Sequence, residues 1–166
     1  MLLVVFIGTV FTLRAGKVTL PLDKNQQIDK VVVIKHLRKL YLYNEGKVIK
    51  EYDISLGRVS KGHKEYEGDR KTPEGLYCLN DKNHNSGYHK NFGISYPDKK
   101  DRAHADSLGK SPGGDIKIHG LRNGFGWIGR LHLLFNWTYG CIALTNEDLD
   151  ELYVTVKIGT PIEIMP

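Results

Sequence analysis

Lys39–Gly57 reads KLYLYNEGKVIKEYDISLG, and its pattern decides the fold class. Leu40 and Leu42 alternate with Tyr41 and Tyr43, then Asn44-Glu45-Gly46 breaks the run, and Val48 to Tyr52 resumes it. A two-residue period puts alternate side chains on opposite faces of a strand. A short Gly-containing break between two such runs is the mark of a β-hairpin. Immediately upstream, VVVIKH (Val31–His36) is β-branched and reads as a third strand.

Working outward, SKGHKEYEGDRKTPEG (Ser60–Gly75) is polar, with three glycines and a proline, and is expected to be a loop. GLYCLN (Gly75–Asn80) restarts a strand. DKNHNSGYHKN (Asp81–Asn91) is expected to be a second loop before FGISYP (Phe92–Pro97). DKKDRAHADSLG (Asp98–Gly109) reads as a short helix that Gly109 ends. SPGGDIKIHG gives a turn and then a strand over Ile116–His119, and IGRLHLLF (Ile128–Phe135) gives one or two helical turns. TNEDLDELYVTV carries a cap at Thr145 or Asn146 and acids in its first turn, so a helix starts there. TPIEIMP is a last strand. Strands dominate and no regular βαβ alternation is present. The expectation is a mainly β domain, sandwich or barrel-like, with short inserted helices.

At 166 residues the chain is long enough for one domain with a sizeable core. Its formal net charge of +5 suits an anionic partner. The basic residues are scattered among acids, in no dense block and no known nucleic-acid motif, so nucleic acid is not an expected partner. The first 13 residues, MLLVVFIGTVFTL, are apolar. That is too short for a spanning helix of about 20 residues. It fits the apolar part of a secretory signal peptide, although a basic lead and a small-x-small cleavage site are missing. Residues 1–16 are therefore read as a signal peptide or membrane anchor, with export to the periplasm or cell wall expected. The alternative is a buried N-terminal strand.

Two cysteines are too few for a disulfide scaffold, and neither sits in a CxxC pair. Cys78, among apolar strand residues, reads as a small buried hydrophobe. Cys141 lies in NWTYGCIAL (Asn136–Leu144), between a glycine and an apolar run. A core residue, half of a disulfide, a metal ligand and a nucleophile are all open readings. A nucleophilic thiol needs a base or a positive charge beside it. Of seven histidines, two stand out. His119 ends the strand IKIH and precedes Gly120, and His132 lies nine residues before Cys141. His84, His89 and His104 lack the compact spacing of a zinc site, so no metal and no cofactor is expected.

The chain also resembles a known family. KIHG (Lys117–Gly120), followed by WTYGCIAL (Trp137–Leu144), is similar to the HG…[S/T]-x-G-C signature of the L,D-transpeptidase catalytic domain, the YkuD-like family. SLGRVSKGHKEYEGDRKTPEGLY (Ser55–Tyr77) resembles that family's first signature, and FGISYP and SPGGDIKIHG fit its pattern as well. The resemblance assigns residues 28–166 to the catalytic domain. It implies an enzyme that takes a tetrapeptide stem of peptidoglycan, forms a thioester and releases the terminal D-alanine. The acyl group then passes to an amine on another stem, for cross-linking, or on an outer-membrane lipoprotein. Hydrolysis by a cysteine peptidase or amidase on the same scaffold, or wall binding without catalysis, are the alternatives.

The resemblance also implies roles. Cys141 matches the nucleophile, His119 the base, and the Gly120 carbonyl the group that orients the imidazole. The N–H groups of Tyr139, Gly140 and Cys141 match the oxyanion donors. Thr138 and His132 join the site, His132 as a partner at one remove, a competing base or a packing residue. The commonest family form reads S-H-G-C-[IV]-R, whereas this chain has Thr138, Tyr139 and Ala143 there, a W-T-x-G-C-I-A variant. Arg122 and Arg130 are candidates for the missing cation.

Overall fold

The computed structural model describes residues 22–166, so the apolar segment 1–16 lies outside the described residues. Eight strands form one sheet in the order β3-β2-β1-β8-β4-β5-β6-β7. β1 (Lys30–Ile34), β2 (Lys39–Asn44) and β3 (Lys47–Asp53) make an antiparallel meander. Its second turn uses Glu45 and Gly46 at φ 49° and 73°, the left-handed pair that a two-residue hairpin turn requires. Leu40 and Leu42 are buried, while Tyr41 and Tyr43 are half-exposed, as the alternation demands. After Lys30, β1 is apolar without a break because both of its faces are covered. Val31, Val32 and Val33 are all buried.

The last strand, β8 (Pro161–Met165), returns to the centre, parallel to β1 and antiparallel to β4 (Gly75–Ser86). Residue 78 of β4 pairs with Pro161 of β8, whereas residues further along pair with β5 (His89–Ile94). β4 thus belongs to both halves of the sheet. Register breaks after Leu79 and after Asn83 let it bend between them. β6 (Lys117–His119) is antiparallel to β5, and β7 (Ile142–Ala143) is parallel to β6. The sheet does not close into a barrel. Single bridges, Ser55 with Ala143 and Gly57 with Thr138, fasten the segment after β3 to the β7 edge.

Asp81–Asn91, expected as a loop, is largely strand and tight turn. Its residues are polar because much of this hairpin is exposed, and backbone pairing rather than apolar burial sustains it. The two helices fall where the caps place them. α1 (Lys99–Ser107) starts at Asp98, whose carboxylate accepts from the Asp101 N–H, and the Asp101 carboxylate in turn accepts from the Asp98 N–H. Gly109, at φ 65°, ends it. α2 (Asn146–Thr155) is capped by the Thr145 hydroxyl, which accepts from the Asp148 N–H at 3.0 Å. Leu149 and Leu152 are fully buried, each worth about 1.5–3 kcal/mol relative to exposure. A 3-10 segment, Gly126–Leu134, kinks at Gly129. The core includes Leu42 and Ile162 from one half of the sheet and Phe92, Ile118 and Ile142 from the other.

Candidate active site

Parallel pairing of β6 with β7 sets Ile118 opposite Ile142 and His119 opposite Ala143. Side chains alternate along a strand, so the two isoleucines face one side, where both are fully buried. His119, and Cys141 two residues before Ala143, fall on the other side. Both line one cleft of about 430 Å³, together with Tyr88, Asn91, Trp137 and Tyr139. Cys78 is elsewhere, on β4, and both cysteines are free thiols. The disulfide reading of Cys141 therefore falls. His84 lies on β4, His89 contacts Asp150 and His104 contacts Glu65, and no group of three metal-binding side chains occurs among the described residues.

The imidazole of His119 is held in one tautomer. Its Nδ1 lies 2.7 Å from the Gly120 carbonyl oxygen, which can only accept, so Nδ1 carries the proton and Nε2 keeps its lone pair. The ring is 7% exposed and stands edge-on to Tyr88 at 4.9 Å and to Trp137 at 5.7 Å. Burial pushes its pKa below the ordinary value; the Gly120 hydrogen bond opposes the shift and Lys117 adds to it. The Cys141 thiol is pushed the other way. Burial raises its pKa, the Asp115 carboxylate adds to the shift, and Lys117 opposes it. Sγ lies 3.7 Å from the Asp115 carbonyl, a weak acceptor for the thiol proton. Both shifts favour the uncharged forms, a thiol and an imidazole, in the one cleft.

Thr138 organises the turn that presents the cysteine. It is buried, its Oγ1 donates to the Cys141 carbonyl at 2.7 Å, and the same oxygen accepts the Gly140 N–H at 3.2 Å. The Gly140 N–H, one of three expected oxyanion donors, is thus already engaged with Thr138. Gly140 itself has φ 130°, and a Cβ there would lie 2.7 Å from the Lys71 carbonyl oxygen. Gly140→Ala is expected to destabilise the protein by about 1–3 kcal/mol, through strain in this turn. A denaturant midpoint unchanged from wild type would contradict that. Gly120 is equally confined, since a Cβ would lie 2.5 Å from Asn146 Oδ1.

His132 is buried in the 3-10 segment, and its Nδ1 accepts the Trp137 indole N–H at 3.2 Å. It meets the site through Trp137, whose ring stands against His119. Burial lowers its pKa, and His119 and Arg130 add to the shift. Arg130 is paired with Asp53 and lies 3.7 Å from Asp148, and Arg122 lines an apolar groove beyond Tyr88 and Trp137. Neither supplies a cation to the nucleophile turn. Tyr139 is 64% exposed, and its ring instead meets the guanidinium groups of Arg58 and Arg70 at 5.1 and 5.5 Å. Sequence reading missed these two arginines, together with Tyr88, Asn91 and Lys117. Arg58 and Arg70 do lie inside the Ser55–Tyr77 signature.

Known proteins share this sequence pattern and fold. The model of the YkuD family, the L,D-transpeptidase catalytic domain, matches residues 29–164. YafK of Escherichia coli is 29% identical over 129 residues, which span 74% of this chain and 45% of YafK. The crystal structure of the helical cell shape determining protein Pgp2 from Campylobacter jejuni is similar at TM-score 0.62 and 31% identity. That likeness covers 82% of this chain and 47% of Pgp2. The chain thus spans about half the length of these relatives. The L,D-transpeptidase from Mycobacterium smegmatis, at 14% identity and TM-score 0.55, shares the fold; the match covers 82% of this chain and 58% of that one.

Proposed function

The chain belongs to the L,D-transpeptidase catalytic domain family, and from that premise we propose that it transfers the acyl group of a peptidoglycan tetrapeptide stem through a thioester on Cys141. The observation that carries this reading is the His119–Gly120 hydrogen bond at 2.7 Å. It fixes Nε2 as the lone-pair nitrogen in the cleft that Cys141 also lines.

His119 Nε2 takes the thiol proton as Sγ bonds to the carbonyl carbon of the third stem residue. The oxyanion that forms is met by the N–H groups of Tyr139 and Cys141, in the turn held by Thr138. Such donors are typically worth about 3–4 kcal/mol each. Collapse breaks the C–N bond, and His119 returns its proton to the departing amine of D-alanine. An acceptor amine then gives a proton to His119, bonds to the carbonyl carbon and breaks the C–S bond. The Cys141 sulfur takes that proton back. The acceptor is a neighbouring stem or a lysine of an outer-membrane lipoprotein, outside the cytoplasmic membrane. His132 is a positioning residue that holds Trp137 against the base. By analogy with Pgp2, the product serves cell shape.

Because burial depresses the His119 pKa, the base stays neutral, and competent, at pH values where an ordinary histidine of pKa about 6.5 is protonated. The acidic limb of the kcat/KM profile is therefore expected below about pH 6.5. A limb above that value would contradict the assignment. Incubation with a disaccharide-tetrapeptide, followed by mass spectrometry, tests the reaction itself. Cross-linked dimers are expected. Tripeptides alone mean hydrolysis, and an unchanged substrate beside an alkylatable Cys141 means binding only.

A further inference from the structure

Three backbone segments interlock behind the nucleophile turn. The Arg58 N–H donates to the Thr138 carbonyl at 3.0 Å, and Thr138 N–H donates to Leu56 at 3.1 Å. Arg58 Nε donates to the Trp137 carbonyl at 3.2 Å. Val59 N–H donates to the Arg70 carbonyl at 3.1 Å. The packing is so close that a Cβ on Gly57 would lie 2.3 Å from that same carbonyl oxygen. Arg70 sits at φ 59°, in the left-handed region that residues with side chains rarely occupy. The fold thus fixes Arg58 and Arg70 on neighbouring segments, with Arg58 hydrogen-bonded to Thr138.

Both guanidinium groups lie against the ring of Tyr139, and Tyr139 lines the catalytic cleft. Other cations of this region are neutralised. Lys64 pairs with Asp69, Lys71 with Glu65, and Lys117 with Asp115. Among the described residues, Arg58 and Arg70 have no carboxylate partner within salt-bridge distance. A guanidinium beside an aromatic ring keeps N–H edges that match a carboxylate.

Resting on the acyl-transfer reading above, we infer that Arg58 and Arg70 form a clamp for the free C-terminal carboxylate of the donor stem. A carbonyl over Cys141, with its oxygen on the 139–141 turn, has the next residue's carboxylate within one residue's reach, about 3.5 Å along the chain. In a longer stem a neutral amide takes that place. The clamp therefore selects stems that end one residue past the bond to be broken.

The test compares a disaccharide-tetrapeptide with its C-terminal carboxamide, using the full chain and the Arg58→Gln/Arg70→Gln double variant. Wild type is expected to prefer the free acid in kcat/KM by at least about tenfold, as loss of a charge-assisted hydrogen bond implies. The double variant is expected to lose that preference, whereas Arg102→Gln, on α1, keeps it. A second readout needs no turnover. The ratio of Cys141 alkylation rates, iodoacetate over iodoacetamide, is expected to fall at least about fivefold in the double variant as local positive charge is removed. Equal use of both stems by wild type, or an unchanged preference and alkylation ratio in the double variant, would overturn the clamp. If neither stem is turned over, the acyl-transfer reading fails, and the alkylation ratio alone decides the clamp.

Discussion

Cys141→Ala is expected to lower the rate of D-alanine release by roughly 10⁴-fold or more, a loss typical of removing a covalent nucleophile. Cys78→Ala is expected to keep most of it. The difference follows from where the two thiols sit. Cys141 follows a glycine with φ 130° and opens onto the cleft that holds His119. Cys78 is a strand residue whose N–H donates to Ser95 Oγ at 3.0 Å and which pairs with Pro161. Its sulfur has no place among the residues lining the cleft. Release rates with purified disaccharide-tetrapeptide distinguish the two. Equal losses in two folded variants would contradict a single nucleophile.

His119→Ala is expected to slow the same reaction by about 10²–10⁴-fold, the usual worth of a positioned base. The size of the loss should depend on pH. Burial and Asp115 hold the Cys141 thiol protonated above the ordinary thiol range, so near neutrality the reaction needs His119 to remove the proton. At high pH the thiolate forms without a base, and the variant's deficit should shrink. Alkylation of Cys141 by iodoacetamide should show the same trend. His132→Ala is expected to do less, since its imidazole hydrogen-bonds to the Trp137 indole and is absent from the lining of the cleft. A larger loss in His132→Ala than in His119→Ala, with both folded, would reverse the assignment of the base.

Local pattern made most of the fold legible. The hairpin at Glu45-Gly46, the caps at Asp98 and Thr145 and the β-branched β1 are all written in residues close in sequence. Asp81–Asn91 was misread because strand periodicity signals burial, and this hairpin buries little. Strand order was not legible either. Nothing local says that β8 inserts between β1 and β4, which depends on contacts more than 80 residues apart.

The candidate site divides in the same way. His119 and Cys141 stood out through their glycine neighbours, and Gly120 and Gly140 are indeed positions with no room for a Cβ. Thr138 was expected near the substrate, yet its hydroxyl is spent inside the turn on Cys141 and Gly140. Arg122 and Arg130 were the cations nearest in sequence, but Arg58 and Arg70 are nearest to Tyr139 in space. They reach it because the bridge from Gly57 to Thr138 carries one signature onto the other, a pairing no sequence spacing reveals.

The central claim is that the acyl group rests on Cys141 between donor and acceptor. Intact-protein mass spectrometry, after rapid mixing with a disaccharide-tetrapeptide and acid quenching, tests it most directly. One acyl adduct is expected, with a mass gain equal to the disaccharide-tetrapeptide minus D-alanine, mapped to Cys141 and absent in Cys141→Ala. Substrate consumed at full rate with no adduct on Cys141, or an adduct mapped to Cys78 or a lysine, would contradict it.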